Sequence, residues 1–196
     1  MSNENLKAVT AFMGSARSSG STHWLLNRVI EGFNNHKSDN MVFNKVDLYN
    51  YEIKPIARSF IESTESKIPD DGMKELIPMI LTSKVVVLAT PVYWFTVSGI
   101  MKNFMDRWYD FSDNKGKLNL EGKGIAVVTA HANPSASMSY PIFKMIEEGA
   151  KFCNMVYIGG TDTITNAQPG TNEHEISSIT ADLLGKRIVD FLQLTL

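Results

Sequence analysis

Hydrophobic residues along this chain follow two alternating rhythms. Short apolar runs with β-branched members read as strands, and each is followed by apolar residues three or four apart that read as a helix. The runs are Lys7 to Met13, Met41 to Leu48, Lys84 to Thr90, Ile125 to Ala130 and Asn154 to Gly160. The helices are predicted over Ser21 to Asn35, from Asp70-Asp71 through Met73 and Ile80, over Ser98 to Tyr109, over Tyr140 to Phe152 and over Glu173 to Leu192. Ser21 or Thr22 is the expected N-cap of the first helix, and Pro78 is expected to distort the second. In the last helix the spacing predicts that Ile176, Ile179, Leu183, Leu184, Ile188 and Phe191 face the core and that the polar positions face water.

Strands at 84–90 and 125–130 are apolar almost throughout, so both of their faces must be covered, as in a parallel sheet between helix layers. Five strands alternating with five helices predict a doubly wound, flavodoxin-like α/β sandwich, formed as one domain over residues 1–196. Right-handed crossovers favour the strand order 2-1-3-4-5. In that order the loops after strands 1, 3 and 4 meet at one sheet edge, and those loops hold the unusual residues of the chain.

Composition narrows the partners. The chain has 196 residues, 43% of them hydrophobic, and a net charge of −2, so it offers no basic field for nucleic acid or an anionic membrane. No apolar run approaches the ~20 residues of a membrane span, and Met1 to Asn5 lacks the look of a signal peptide. A single cysteine, Cys153, excludes an internal disulfide and a thiolate-built metal or iron–sulfur cluster. Together these point to a cytoplasmic protein with no metal site. His23, His36 and His174 have no partners at metal-ligand spacing and read as surface or packing residues.

The first loop, Gly14-Ser15-Ala16-Arg17-Ser18-Ser19-Gly20-Ser21-Thr22, places hydroxyls, an arginine and a helix N-terminus together, which suits a phosphate and equally suits a plain strand-to-helix turn. It lacks the Gly-Lys-Ser/Thr of a P-loop and the G-x-G-x-x-G of a dinucleotide site. The second, Thr90-Pro91-Val92-Tyr93-Trp94-Phe95-Thr96-Val97, carries three consecutive aromatics. Adjacent side chains diverge, so at least one lies at the surface or in a cleft, where it stacks on a flat ring or fills a subunit interface. In the third, Thr129 to Pro134, His131 is either a titrating group beside a redox centre or a structural donor.

Two of these segments carry a family resemblance. The first loop resembles the G-S-x-R-x-x-G-x-T loop of the flavodoxin-like NAD(P)H-dependent FMN reductases. The segment from Thr90 to Arg107 closely resembles their longer T-P-x-Y-W-x-x-x-S-x-x-x-K-x-x-x-D-R motif. The resemblance implies bound FMN, its phosphate held by Ser15, Arg17, Ser21 and Thr22. Pro91, Val92, Tyr93, Trp94 and Phe95 would line the isoalloxazine, and Thr129, Ala130 and His131 would close its other side. Asp106 and Arg107 read as a structural pair in the following helix. The stretch Tyr51 to Phe60 lacks the cysteines with which some relatives hold an iron–sulfur centre.

The implied activity is transfer of hydride from NAD(P)H through FMN to a quinone, a free flavin or an azo or nitro compound. The flavin does the chemistry, and His131 is the one side-chain candidate beside it. Two alternatives stand: a flavodoxin-type electron carrier, usually far more acidic than this chain, and a flavin-free interaction module. The family's habit implies a homodimer or homotetramer, with the helix of Trp108 and Tyr109 and the stretch Phe111 to Lys123 as interface material.

Overall fold

A computed structural model describes residues 6–56, 70–111, 119–133, 135, 137–165 and 169–195. Five parallel strands, β1 (Lys7–Met13), β2 (Met41–Asp47), β3 (Val85–Pro91), β4 (Gly124–His131) and β5 (Val156–Ile164), form one sheet in the order β2-β1-β3-β4-β5. The described helices are α1 (Ser21–His36), α2 (Met73–Thr82), α3 (Gly99–Asp106), α4 (Tyr140–Phe152) and α5 (Asn172–Leu194). Short 3₁₀ turns follow β2 at Leu48–Asn50 and α3 at Arg107–Phe111. The expected order and its split between β1 and β3 are therefore found. Parts of the expected irregular stretch (57–69), of the third loop (134 and 136) and of the suggested interface stretch (112–118) lie outside the described residues.

Strand alternation sends successive side chains into two cores. Val85 and Val87 join Leu25, Val29 and Leu184 in the layer of α1 and α5, whereas Val86 and Leu88 join Leu76, Phe104 and Ile146 in the layer of α2, α3 and α4. The first layer is unusually close. A Cβ on Gly185 of α5 would sit 2.4 Å from the Phe33 nitrogen of α1, and one on Gly32 of α1 would sit 2.6 Å from the Asp182 backbone of α5.

Four local expectations are corrected. Strand β5 starts and ends later than expected, because Thr161 and Thr163 face the α5 side while Asp162 serves a polar contact on the α4 side. Such residues carry no apolar signal. The N-cap of α1 is Gly20, with no side-chain cap, in place of Ser21 or Thr22. The third correction concerns α5. Its buried positions are Ser177, Ala181, Leu184, Gly185, Ile188, Val189 and Leu192, and Ile176, Ile179 and Leu183 point outward. Contact with α1 is so close that small residues take the inward positions.

The fourth is the pairing of Arg107. Asp106 binds Lys102 at 2.6 Å on the surface. Arg107 instead reaches Asp71 and Asp110, each at 2.6 Å, and donates to the Lys54 carbonyl at 2.6 Å. Burial by itself would raise the Asp71 carboxyl, but hydrogen bonds from Arg107 and from the Lys54 and Met73 amides hold it below the usual carboxylate range. At Asp110 burial prevails and pushes the carboxyl up against the pull of Arg107. This buried corner ties the segment around Lys54 and the start of α2 to the end of α3.

Candidate functional site

The loops after β1, β3 and β4 emerge side by side from the C-terminal edge of the sheet, at the split in strand order where ligands of doubly wound folds bind. Backbone and hydroxyl groups fasten them together. Gly14 donates from its amide to the Ala89 carbonyl at 2.8 Å. Its own carbonyl accepts from Ser98 Oγ at 2.6 Å. Thr90 Oγ1 accepts from the Ser98 amide at 2.9 Å, and Thr129 Oγ1 donates to the Thr90 carbonyl at 2.7 Å. The Val92 amide donates to the Ala130 carbonyl at 2.8 Å. Gly14 is required here, since a Cβ would lie 2.9 Å from Ser98 Oγ and 3.0 Å from Met101 Cβ.

The first loop forms an open concavity of about 450 Å³ lined by Ala16, Arg17, Ser18, Ser19, Gly20 and Ser21. Ser15 is buried and shapes the turn, its Oγ accepting from the Arg17 amide at 3.3 Å. Such a side-chain turn presents the following backbone outward. Arg17 is exposed and makes no ion pair among the described residues. The N-cap of α1 supplies no side-chain acceptor to the helix amides. A helix N-terminus beside an exposed guanidinium is the setting an anion needs. Thr22 lies buried behind them.

The second loop is built differently. Tyr93 and Thr96 exchange backbone hydrogen bonds of 2.9 and 3.1 Å across a tight turn. Its two central residues, Trp94 and Phe95, have φ of 51° and 61°. Positive φ at both centres marks the type I′ turn, where Asn-Gly is the usual pair. Two bulky aromatics there strain the backbone by about 1–3 kcal/mol each. The turn holds all three rings outward, with Trp94 94% exposed and Tyr93 and Phe95 about half exposed. Pro91 is buried as the last residue of β3, and Val92 is half-buried beneath the turn.

In the third loop the residues are inward. Thr129 and Ala130 are buried. His131 is 5% exposed, with Nδ1 2.6 Å from the Asn133 carbonyl and Nε2 3.1 Å from Asp162 Oδ2. Ser139 Oγ donates to the same Asp162 oxygen. His131 thus closes the loop from its first residue, and Ser139 from its last, through one carboxylate on β5. Each ring nitrogen lies against an oxygen, so His131 links the Asn133 carbonyl to the Asp162 carboxylate. Asp162 escaped notice in the sequence because it lies beyond the apolar part of its strand.

The remaining candidates pack. His174 stacks on Trp24 with centroids 4.6 Å apart, and His36 Nδ1 is 2.8 Å from the Gly32 carbonyl. Burial and the nearby Lys45 hold His23 below its ordinary pKa, with Asp47 opposing them. Burial pushes the Cys153 thiol up, away from reactivity. Among the described residues no group of three His, Cys, Asp or Glu side chains is placed to hold a metal.

Comparison with known proteins agrees with this geometry. Residues 8–166 match the family described as NADPH-dependent FMN reductase. The chain is 26% identical over 157 residues to Bacillus subtilis (strain 168) YwqN, named an NAD(P)H-dependent FMN-containing oxidoreductase, with 77% of this chain and 81% of that one covered. Its fold is similar to that of an FMN-dependent NADH-azoreductase from Bacillus anthracis, solved in complex with FMN (TM-score 0.69, 14% identity, 93% of this chain and 99% of that one). It is also similar to that of an NAD(P)H:quinone oxidoreductase from Methanothermobacter marburgensis (TM-score 0.65, 15% identity, 93% and 98%).

Proposed function

From one premise, that the chain belongs to the NADPH-dependent FMN reductase family and is an FMN-dependent NAD(P)H oxidoreductase, we propose which residues hold the flavin and what the enzyme reduces. Ser15, Arg17, Ser21 and Thr22 form the phosphate end of the site: Arg17 supplies charge, Ser15 shapes the loop, and the start of α1 supplies amides. Pro91, Val92, Tyr93, Trp94 and Phe95 form the wall along the isoalloxazine, and Thr129, Ala130 and His131 fix the loop on its far side. The observation that carries this reading is the 2.6 Å hydrogen bond from Ser98 Oγ to the Gly14 carbonyl, which locks the aromatic loop to the polar cradle.

When bound, FMN supplies the centre that takes hydride from NAD(P)H and reduces the acceptor. The chain binds, orients and shields. Exposed aromatic faces at Trp94 and Phe95 suit planar acceptors, so we assign quinones, free flavins and azo or nitro aromatics as substrates. The names of the azoreductase and quinone oxidoreductase of like fold support that class. The family match favours a reductase over an electron carrier.

We further place the protein in the cytoplasm, as one domain spanning residues 1–196 that assembles into a homodimer or homotetramer. No described helix is long and apolar enough to cross a membrane. The deciding measurement is an absorbance spectrum after reconstitution with FMN, followed by NADH and NADPH oxidation with menadione. Flavin bands that survive gel filtration, with acceptor-dependent turnover, are expected. Protein that leaves the column colourless would refute the assigned flavin residues, and coloured protein without turnover would refute the acceptor class.

A further inference from the structure

Helix α5 buries its small residues and exposes large ones. Ser177, Ala181 and Gly185 are buried, while Ile176 and Ile179 are each 61% exposed and Leu183 is 47% exposed. At about 100° per residue, these three side chains form one stripe diametrically opposite Ala181 and Leu192. Isoleucine is a middling helix former, so helix propensity does not account for the stripe. The core of this chain does not account for it either.

Charges flank the stripe in a fixed pattern. By the same helical geometry, Glu173 and Arg187 lie along one flank, and Glu175 and Lys186 along the other. Glu173, Glu175 and Arg187 make no ion pair among the described residues, and Lys186 holds Asp190 at 2.8 Å in an exposed pair worth little. Acidic groups sit at the start of the helix and basic ones about three to four turns later.

We propose that the outer face of α5 is a two-fold contact between copies of this chain, with the two helices antiparallel about a point near Thr180. Ile176 of one copy then meets Leu183 of the other, and Ile179 lies beside its own counterpart. On the flanks Glu173 meets Arg187, and Glu175 meets Lys186. The midpoints of these pairs all fall within one residue of Thr180, as an isologous contact demands. Parallel helices would set glutamate against glutamate. Three apolar residues per copy are far fewer than the roughly 20–30 residues a side of a standard interface, so the contact is weak and concentration-dependent. It shares no residue with the flavin site and does not rest on that reading.

Sedimentation equilibrium of the full chain over a concentration series tests it. Ile179→Asp is expected to weaken one association step about tenfold or more, which is about 1.4 kcal/mol. Glu173→Arg weakens the same step, and adding Arg187→Glu restores it. Ile179→Cys in a Cys153→Ser background forms a disulfide-linked dimer when dissolved oxygen, with a copper catalyst, takes up the two electrons and two protons. These side chains are exposed, so circular dichroism and FMN uptake stay at wild-type values. A wild-type chain that remains monomeric up to about 1 mM overturns the proposal. So does an assembly that ignores Ile179→Asp and both charge changes.

Discussion

The cradle after β1 and the aromatic turn after β3 sit side by side, yet they are made by opposite means. The cradle is a relaxed backbone at the start of α1 whose only large side chain is Arg17. The aromatic turn is a strained backbone with positive φ at Trp94 and Phe95, carrying three outward rings. An anion needs charge and amides at a point, and a loose loop at a helix start provides both. A flat ring needs a wall at a fixed angle, and here strain fixes the angle. Such strain persists only where the surroundings enforce it. The enforcement is at both ends of α3: Ser98 is fastened to Thr90 and Gly14 at its start, and Arg107 is clamped by Asp71 and Asp110 at its end.

The largest effect is therefore expected far from the rings. Arg107→Ala leaves two buried carboxylates without their cation and should cost about 3–5 kcal/mol in urea unfolding. The two carboxylates also have opposite pH signatures. Asp71 is depressed, so its stabilisation is present above the unfolded pKa and is lost as pH falls through the folded one. Asp110 is raised, so its contribution is present at low pH and is lost as pH rises through its folded pKa. Asp71→Asn should accordingly flatten the acid limb of the stability curve, and Asp110→Asn should steepen it. Equal acid limbs in both variants would mean that the corner does not discriminate its two acids.

Next in size is the cradle. Arg17→Ala removes one charge-assisted contact of about 1.5–3 kcal/mol, so the FMN dissociation constant should rise about 10- to 100-fold in fluorescence titration. The melting temperature of the flavin-free protein should stay unchanged, because Arg17 is exposed and makes no ion pair among the described residues. Gly14→Ala should act the other way round. Its Cβ collides with Ser98 and Met101, so overpacking of about 1–3 kcal/mol lowers the flavin-free melting temperature. Arg17→Ala with undiminished FMN affinity would place the phosphate elsewhere and dissolve the contrast between the two loops.

Sequence showed the sheet, its order and the meeting of the three loops, because unbroken apolar runs such as Val85 to Leu88 admit few other environments. It did not show which face of α5 is buried. Hydrophobic periodicity assumes that large residues go inside, and close contact through Gly32 and Gly185 reverses that rule. Partners distant along the chain were equally invisible. Nothing beside Arg107 points to Asp71, and nothing beside His131 points to Asp162, since ion-pair choice is decided by packing. Three adjacent aromatics announced exposure, but the left-handed backbone that holds them belongs to no residue type found there.

That last point gives the smallest and sharpest prediction. In a helix, glycine is less favourable than alanine by about 1 kcal/mol. At φ of 61° the order should invert, because alanine retains the Cβ that penalises the left-handed region and glycine does not. Phe95→Gly should therefore melt above Phe95→Ala, by about 1 kcal/mol in flavin-free protein, despite the extra chain entropy glycine brings to the unfolded state. Both variants lose the ring, so both should bind FMN less tightly, and glycine should be the weaker binder because the turn is no longer stiff. If alanine proves the more stable of the two, the backbone at Phe95 is not under strain. The wall would then owe its direction to side-chain packing, and the contrast between a relaxed cradle and a strained turn would fail.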